Sequence, residues 1–217
     1  MSKCIVVVSP HPDDLEIGMG GTAAKMIDGG YEIVSLLATN GSGSTSLKGH
    51  SEDKMAEVRL QEAREAVSAL GVQTLIPLQL DDVKSDDNKD HFKNDFKETL
   101  TRFKPEEVYI PHPKIDKHPT HKIVSELVVE VMAALDQKPE KIWCYEVWTP
   151  FTTYDRLEDI SEFVDQKIMA IEAHKSQLDY KNYTDGMLGL NRYRAIFDER
   201  HGKTEMKYAE VFIELSI

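Results

Sequence analysis

Positive charge is in short supply in this chain. Against 38 Asp and Glu stand 26 Lys and Arg, a formal net charge of −12 over 217 residues. A chain so acidic makes a poor ligand for phosphate backbones or anionic lipid, so neither a nucleic acid nor a membrane is expected as a partner. Cysteine is scarcer still. The two present, Cys4 and Cys144, fall in apolar, strand-like stretches. They read as buried thiols of a reducing compartment, hence a cytoplasmic protein, and not as a disulfide framework. No apolar run approaches the roughly 20 residues a spanning helix needs, and the first, residues 4–8, is too short for a secretion signal. Repeats, low-complexity tracts and a linker long enough to split the chain are also lacking, which leaves a single domain over residues 1–217. A chain of this length can bury roughly 70% of its unfolded surface, so it needs no disulfide or metal to hold a core. The apolar fraction of 41% and charged fraction of 29% exclude wholesale disorder.

What is there is an alternation. Residues 4–8 are a continuous β-branched run, as expected of a buried parallel strand. Residues 33–39, 74–80, 108–110, 142–147 and 209–215 read as further strands, the third interrupted at Pro77. Between them lie helical patterns. One spans 20–27 and stops at Gly29-Gly30. A second is capped by Ser51 and ended by Gly71. A third carries Phe92, Phe96, Leu100 and Phe103 on one stripe, and two more cover 119–135 and 161–178. Residues 40–46 and 81–90 read as polar loops, the first the most flexible-looking in the chain. Strands alternating with helices imply βαβ units and a mainly parallel sheet flanked by helices. In such a sheet chemistry sits where strands lead into helices, after the first and fourth strands.

The first strand runs straight into Ser9-Pro-His-Pro-Asp-Asp-Leu-Glu16. Pro10 and Pro12 each fix φ and bias the preceding residue toward extended geometry. A rigid loop thus carries an imidazole and two adjacent carboxylates, a costly set of charges unless a cation binds. His11 and Asp14 can give one nitrogen and one oxygen to Zn²⁺, leaving Asp13 free as a base. The alternative is a polar loop in which Asp13 or Asp14 caps the next helix. The fourth strand leads into Pro111-His-Pro-Lys-Ile-Asp-Lys-His-Pro-Thr-His121, with three of the chain's eight histidines in ten residues. Pro119 suits the first helical position, which puts His118 at the N-cap and His121 in the first turn. The positive helix end there favours neutral imidazole. His11, Asp14 and His121 together make a common catalytic zinc set, open at the fourth position, although Fe²⁺ also suits two histidines and a carboxylate.

A competing signal is Gly18-Met-Gly20-Gly21-Thr-Ala23, which fits the dinucleotide fingerprint. That fingerprint needs its glycines in the turn immediately after the strand, and an acid ending the second strand. Here seven residues intervene and the second strand ends in Leu37-Ala-Thr-Asn40. Glycines that let a helix approach the sheet closely explain the pattern better.

His11-Pro-Asp-Asp-Leu-Glu16 followed by Gly20-Gly21-Thr22, together with Asp116-Lys-His-Pro-Thr-His121, resembles the two zinc motifs of the LmbE-like (PIG-L) N-deacetylase family. Ala173-His-Lys-Ser-Gln177 and Ala209-Glu-Val-Phe212 resemble family segments near the C-terminus, so the likeness runs over nearly the whole chain. The resemblance implies a Rossmann-like single domain that hydrolyses the acetamide of an N-acetylglucosamine-type conjugate, a small-molecule substrate. It implies His11, Asp14 and His121 as metal ligands and Asp13 as general base. His118 would stabilise the oxyanion and protonate the leaving amine. Arg59 stands where the family often has an Arg for substrate contact; the plainer reading is a solvated Arg paired with Glu62. The departure is Thr120, where the family usually has an Asp that supports its histidine neighbour. Asp116 is the candidate to take over that support. His112 is a candidate for the pocket rim, and His174 is expected to be a core histidine. His50, His91 and His201 are expected in solvent, and Trp148 either stacks on a sugar or packs in the core. An amidase on another amide, or a non-catalytic nucleotide- or metal-binding protein, are the contrasting readings. Association of the chain with itself is left open.

Overall fold

The computed structural model describes residues 3–44, 51–198 and 205–216. Its strands are β1 (Cys4–Ser9), β2 (Glu32–Thr39), β3 (Thr74–Leu80), β4 (Glu107–Pro111), β5 (Lys141–Tyr145), β6 (Arg156–Asp159) and β7 (Ala209–Glu214). Its helices are α1 (Asp14–Asp28), α2 (Glu52–Leu70), α3 (Asp86–Phe103), α4 (Pro119–Ala133), α5 (Val164–Glu172), α6 (Lys175–Leu178) and α7 (Tyr183–Phe197). The strands form one sheet in the order β3-β2-β1-β4-β5-β7-β6. β1 to β5 pair in parallel, and β7 runs antiparallel between β5 and β6. This is a mainly parallel α/β sheet flanked by helices, as the alternation of elements predicts.

The β-branched strands are buried on both faces, which is why they read as continuous apolar runs. Alternate residues serve opposite layers. Val6, Val8, Val34 and Leu36 share a core with Phe92 and Phe96 of α3 and with Val124 and Val128 of α4. Ile5, Val7 and Ile33 share the other with Leu15 and Ala23 of α1, Leu70 of α2 and Ala170 of α5. The chain leaves β1 toward β2 and leaves β4 toward β5, on opposite sides of the β1–β4 pair. A crevice therefore opens beyond the carboxyl ends of β1 and β4.

Several elements differ from expectation for physical reasons. α1 begins at Asp14, six residues before the expected start, because it is two helical pieces joined at Met19 (φ −147°, ψ 23°). β3 passes through Pro77, which pairs with Leu37; as the sheet's edge strand it spares the proline a ladder hydrogen bond on one side. The acidic stretch is helical from Asp86, with Ser85 accepting the amide of Asn88. The helix expected over 161–178 is two, broken at Ala173 and His174. β6 and α7 are absent from the sequence reading.

The glycines of α1 serve close approach. A Cβ on Gly18 would overlap the Tyr145 ring and lie 2.7 Å from the Glu146 carbonyl oxygen, and one on Gly21 would lie 2.6 Å from Ile160. Gly18→Ala is expected to cost about 1–3 kcal/mol, which calorimetry will read as a fall of several degrees in Tm.

Candidate active site

The loop between β1 and α1 is a tight turn in which the amides of Asp13 and Asp14 both face the His11 carbonyl, at 3.0 and 3.4 Å. Asp13 takes φ 158°, ψ −14°, a conformation L-residues rarely adopt and one that costs about 1–3 kcal/mol. Two contacts hold it there. Arg59 of α2 donates through Nη2 to the Pro12 carbonyl at 2.7 Å and pairs with Asp13 Oδ2 at 3.1 Å. Gly41 (φ +69°) makes room for that guanidinium, since a Cβ there would lie 2.6 Å from Nη1. The Asp13 carboxyl is buried, and burial raises its pKa, with Arg59 opposing and Asp14 adding to the rise. Arg59 is itself only 4% exposed, so the expectation of a solvated side chain paired with Glu62 is corrected. Glu62 instead accepts from the amide and hydroxyl of Ser176.

Asp14 opens α1, with its side chain wholly buried. Its Oδ2 accepts the His11 amide at 2.7 Å and lies 3.4 Å from His11 Nδ1 and 3.2 Å from His121 Nε2. The two ring nitrogens are 3.0 Å apart. Three donor atoms thus form a triangle with edges of 3.0 to 3.4 Å. Ligands about 2.0–2.1 Å from a tetrahedral ion stand about 3.3 Å from one another, so the triangle has the dimensions of a metal site. Among the described residues Asp14 Oδ1 has no hydrogen-bond partner although it is buried, which leaves that oxygen free to turn to a cation as well. The His11, His118 and His121 rings also gather donor atoms within 4.8 Å, a looser set.

The His121 ring is buried between two carboxylates, with Nδ1 3.1 Å from Asp116 Oδ2. Burial alone would lower its pKa, but Asp14 and Asp116 outweigh it and push it up to about 10. The helix end therefore does not by itself hold the His121 ring neutral while two anions face it; a cation in the triangle would compete with that proton. At His118, the N-cap of α4, the pKa falls to about 4, through burial and the adjacent His11 and His121. Asp116 does not support the His118 side chain. Its Oδ1 accepts the His118 backbone amide at 2.8 Å and its Oδ2 faces His121, while His118 Nδ1 is buried without a partner among the described residues.

Above these groups opens a cleft of about 330 Å³ lined by His11, Asp13, Arg59, His118 and Thr120. Asp81, Asp82, Lys84, Trp148 and Tyr183 line it as well. Trp148 is 37% exposed, so it is not a core residue, and its ring meets Tyr183 edge-on at 5.2 Å. His112 is not brought to this cleft. Its Nδ1 accepts the amides of Lys114 and Ile115, which fixes it as a turn residue. His174 is buried, with Nε2 3.6 Å from Glu16, His91 pairs with Asp95 at the surface, and His50 and His201 lie outside the described residues. Sequence reasoning missed Asp81, Asp82 and Tyr183. The first two follow β3, at the same edge of the sheet as the two motif loops, and that position was their signal. Tyr183 begins the unexpected α7.

No described helix is long and apolar enough to cross a membrane. The profile of the GlcNAc-PI de-N-acetylase family, PIG-L, matches residues 6–132, which include both motif loops. A diacetylchitobiose deacetylase of Thermococcus kodakarensis is 28% identical over 192 residues, 81% of this chain and 70% of that protein. Among solved structures, the N,N'-diacetylchitobiose deacetylase of Pyrococcus horikoshii superposes with a TM-score of 0.82 at 24% identity, over 99% of this chain and 84% of that one. A 4-carboxy-2-hydroxymuconate hydratase of Pseudomonas putida superposes with a TM-score of 0.84 at 19% identity, over 99% and 97%. The architecture thus serves more than one reaction. With the family profile matching more than half its length, this chain belongs to the PIG-L family and is a deacetylase.

Proposed function

We propose that the chain is a zinc-dependent hydrolase that removes the acetyl group from an N-acetylglucosamine-type saccharide conjugate. The observation that carries this reading is the His11–Asp14–His121 triangle beside the buried Asp13 carboxylate. A divalent ion held by the triangle supplies Lewis acidity for the acetyl carbonyl and the attacking water. Asp13 is the general base. It accepts a proton from water as the oxygen bonds to the acetyl carbon, and its raised pKa suits that task. His118 is held neutral by burial and by the adjacent His11 and His121, and donates a hydrogen bond to the oxyanion. When the C–N bond breaks, the proton that Asp13 has taken passes to the departing nitrogen, leaving acetate and a free amine; this replaces the acid role that the resemblance implied for His118, which is not an imidazolium here. Arg59 holds the base loop through Pro12 and Asp13, a positioning task besides any contact with substrate. At the rim, Trp148 and Tyr183 offer ring faces and edges to a sugar, and Asp81 and Asp82 offer acceptors to its hydroxyls.

The test is acetate release from N,N'-diacetylchitobiose, an N-acetylglucosamine glycoside and N-acetylglucosaminyl malate. Release from at least one is expected, abolished by a chelator and restored by Zn²⁺. If the zinc-loaded protein releases acetate from none, the saccharide assignment fails.

A further inference from the structure

α1 is broken next to the groups that would bind metal, and a buried ion pair fills the break from both sides. The non-helical backbone at Met19 interrupts the ladder of amide-to-carbonyl bonds along the helix. Beyond the break, the Gly21 and Thr22 amides donate to Glu210 of β7, to Oε1 at 3.1 Å and Oε2 at 2.7 Å. Before it, the Ile17 carbonyl accepts from Lys167 Nζ of α5 at 2.8 Å. Lys167 Nζ in turn donates to Glu210 Oε1 at 2.6 Å. Lys167 is 0% exposed and Glu210 1%. Every group of the pair is therefore spent on the break or on its partner. The short first piece of α1, which begins with Asp14, has its direction set by this pair and not by continuous helix.

We infer that Lys167 and Glu210 are positioning residues: they fix the first piece of α1 so that the Asp14 carboxylate meets His11 and His121. The inference rests on the reading of Asp14 as a metal ligand. It explains why Ala209-Glu-Val-Phe212, far along the chain from the two motif loops, carries a buried carboxylate. Buried charge there costs desolvation energy, which the three backbone partners and the ion pair offset.

The experiment measures Zn²⁺ affinity by competition with a chromophoric chelator, at a temperature where circular dichroism shows each protein folded. Glu210→Gln removes the charge and one backbone acceptor geometry. The double variant Lys167→Met with Glu210→Met removes both polar ends and keeps apolar bulk. Both are expected to bind Zn²⁺ about 10–100-fold more weakly than the wild type, the loss typical of a group that orients a ligand. The double variant also strips the Gly21 and Thr22 amides and the Ile17 carbonyl of their partners, so a lowered Tm is expected alongside the loss. A merely structural pair predicts the lowered Tm with unchanged affinity in the folded protein. Affinity within about threefold of wild type in the folded variants, well short of that loss, overturns the inference. Asp14→Ala is the control: if it binds Zn²⁺ like the wild type, the ligand assignment falls and the inference with it.

Discussion

Asp13→Asn will keep its zinc and lose about 10²–10⁴-fold in kcat, the contribution typical of a general base. The carboxamide has nearly the shape of the carboxylate, and its oxygen can still accept from Arg59 Nη2, which the wild type holds 3.1 Å from Asp13 Oδ2. Arg59 also keeps its bond to the Pro12 carbonyl, so the turn has reason to stay as it is. What the amide cannot do is take a proton. The wild-type pH profile follows from the same group. Burial raises the Asp13 pKa above the ordinary carboxylate value, and only the ionised form is a base. Activity should therefore fall with pH on the acid side, through a midpoint above that of an exposed Asp, about 3.9. The check is kcat against pH at constant zinc occupancy for both proteins. Turnover in Asp13→Asn close to wild type would move the base role to another group.

Asp14→Ala is expected to lose metal outright. It removes one of three ligands, and it also takes the anion from beside His11 and His121. Elemental analysis of protein equilibrated with stoichiometric Zn²⁺ should find the ion in the wild type and little in the variant. Thermal unfolding gives an independent reading. A ligand that binds only the native state stabilises by about 2.7 kcal/mol at a hundred times its Kd. Added Zn²⁺ should thus raise the Tm of the wild type and leave that of Asp14→Ala unmoved. Equal zinc content in the two proteins would reject the assignment.

The core of the fold could be read from the chain because its signals are local. Residues 4–8 are β-branched throughout, and a strand buried on both faces admits little else. Ser51 and Gly71 bracket α2, the one accepting the Lys54 amide and the other taking φ +83°. The elements that went unread depend on distant partners. Only the second part of α1 was read: the three glycines of α1 count against a helix by local propensity, and it packs against Tyr145, Ile160 and Glu210, all distant in the chain. β6 is four residues long and exists only because β7 lies beside it.

The candidate site was legible to the same degree. Proline and spacing placed His11, Asp13, Asp14, His118 and His121 in two loops, and a parallel sheet brings those loops together. The partition of Asp116 between His121 and the His118 amide was not legible, since it depends on side-chain orientation within one turn. Nor was Arg59 as the prop of the base loop, because a helix position 47 residues from Pro12 carries no sign of which carbonyl it will meet.

The placing of β7 has a consequence for how the protein is made. Translation delivers residues 6–132, with both motif loops, long before residue 210 leaves the ribosome. A nascent chain can pair β1 to β5 as they emerge, but β6 has no neighbour until β7 slides between it and β5. Until then β5 is an open edge and the Gly21 and Thr22 amides lack the carboxylate they meet in the finished molecule. Domains commonly fold from the N-terminal end during synthesis. Here the order of synthesis makes the last strand the one that closes the sheet, and a chain shortened before it would display a bare, aggregation-prone strand edge.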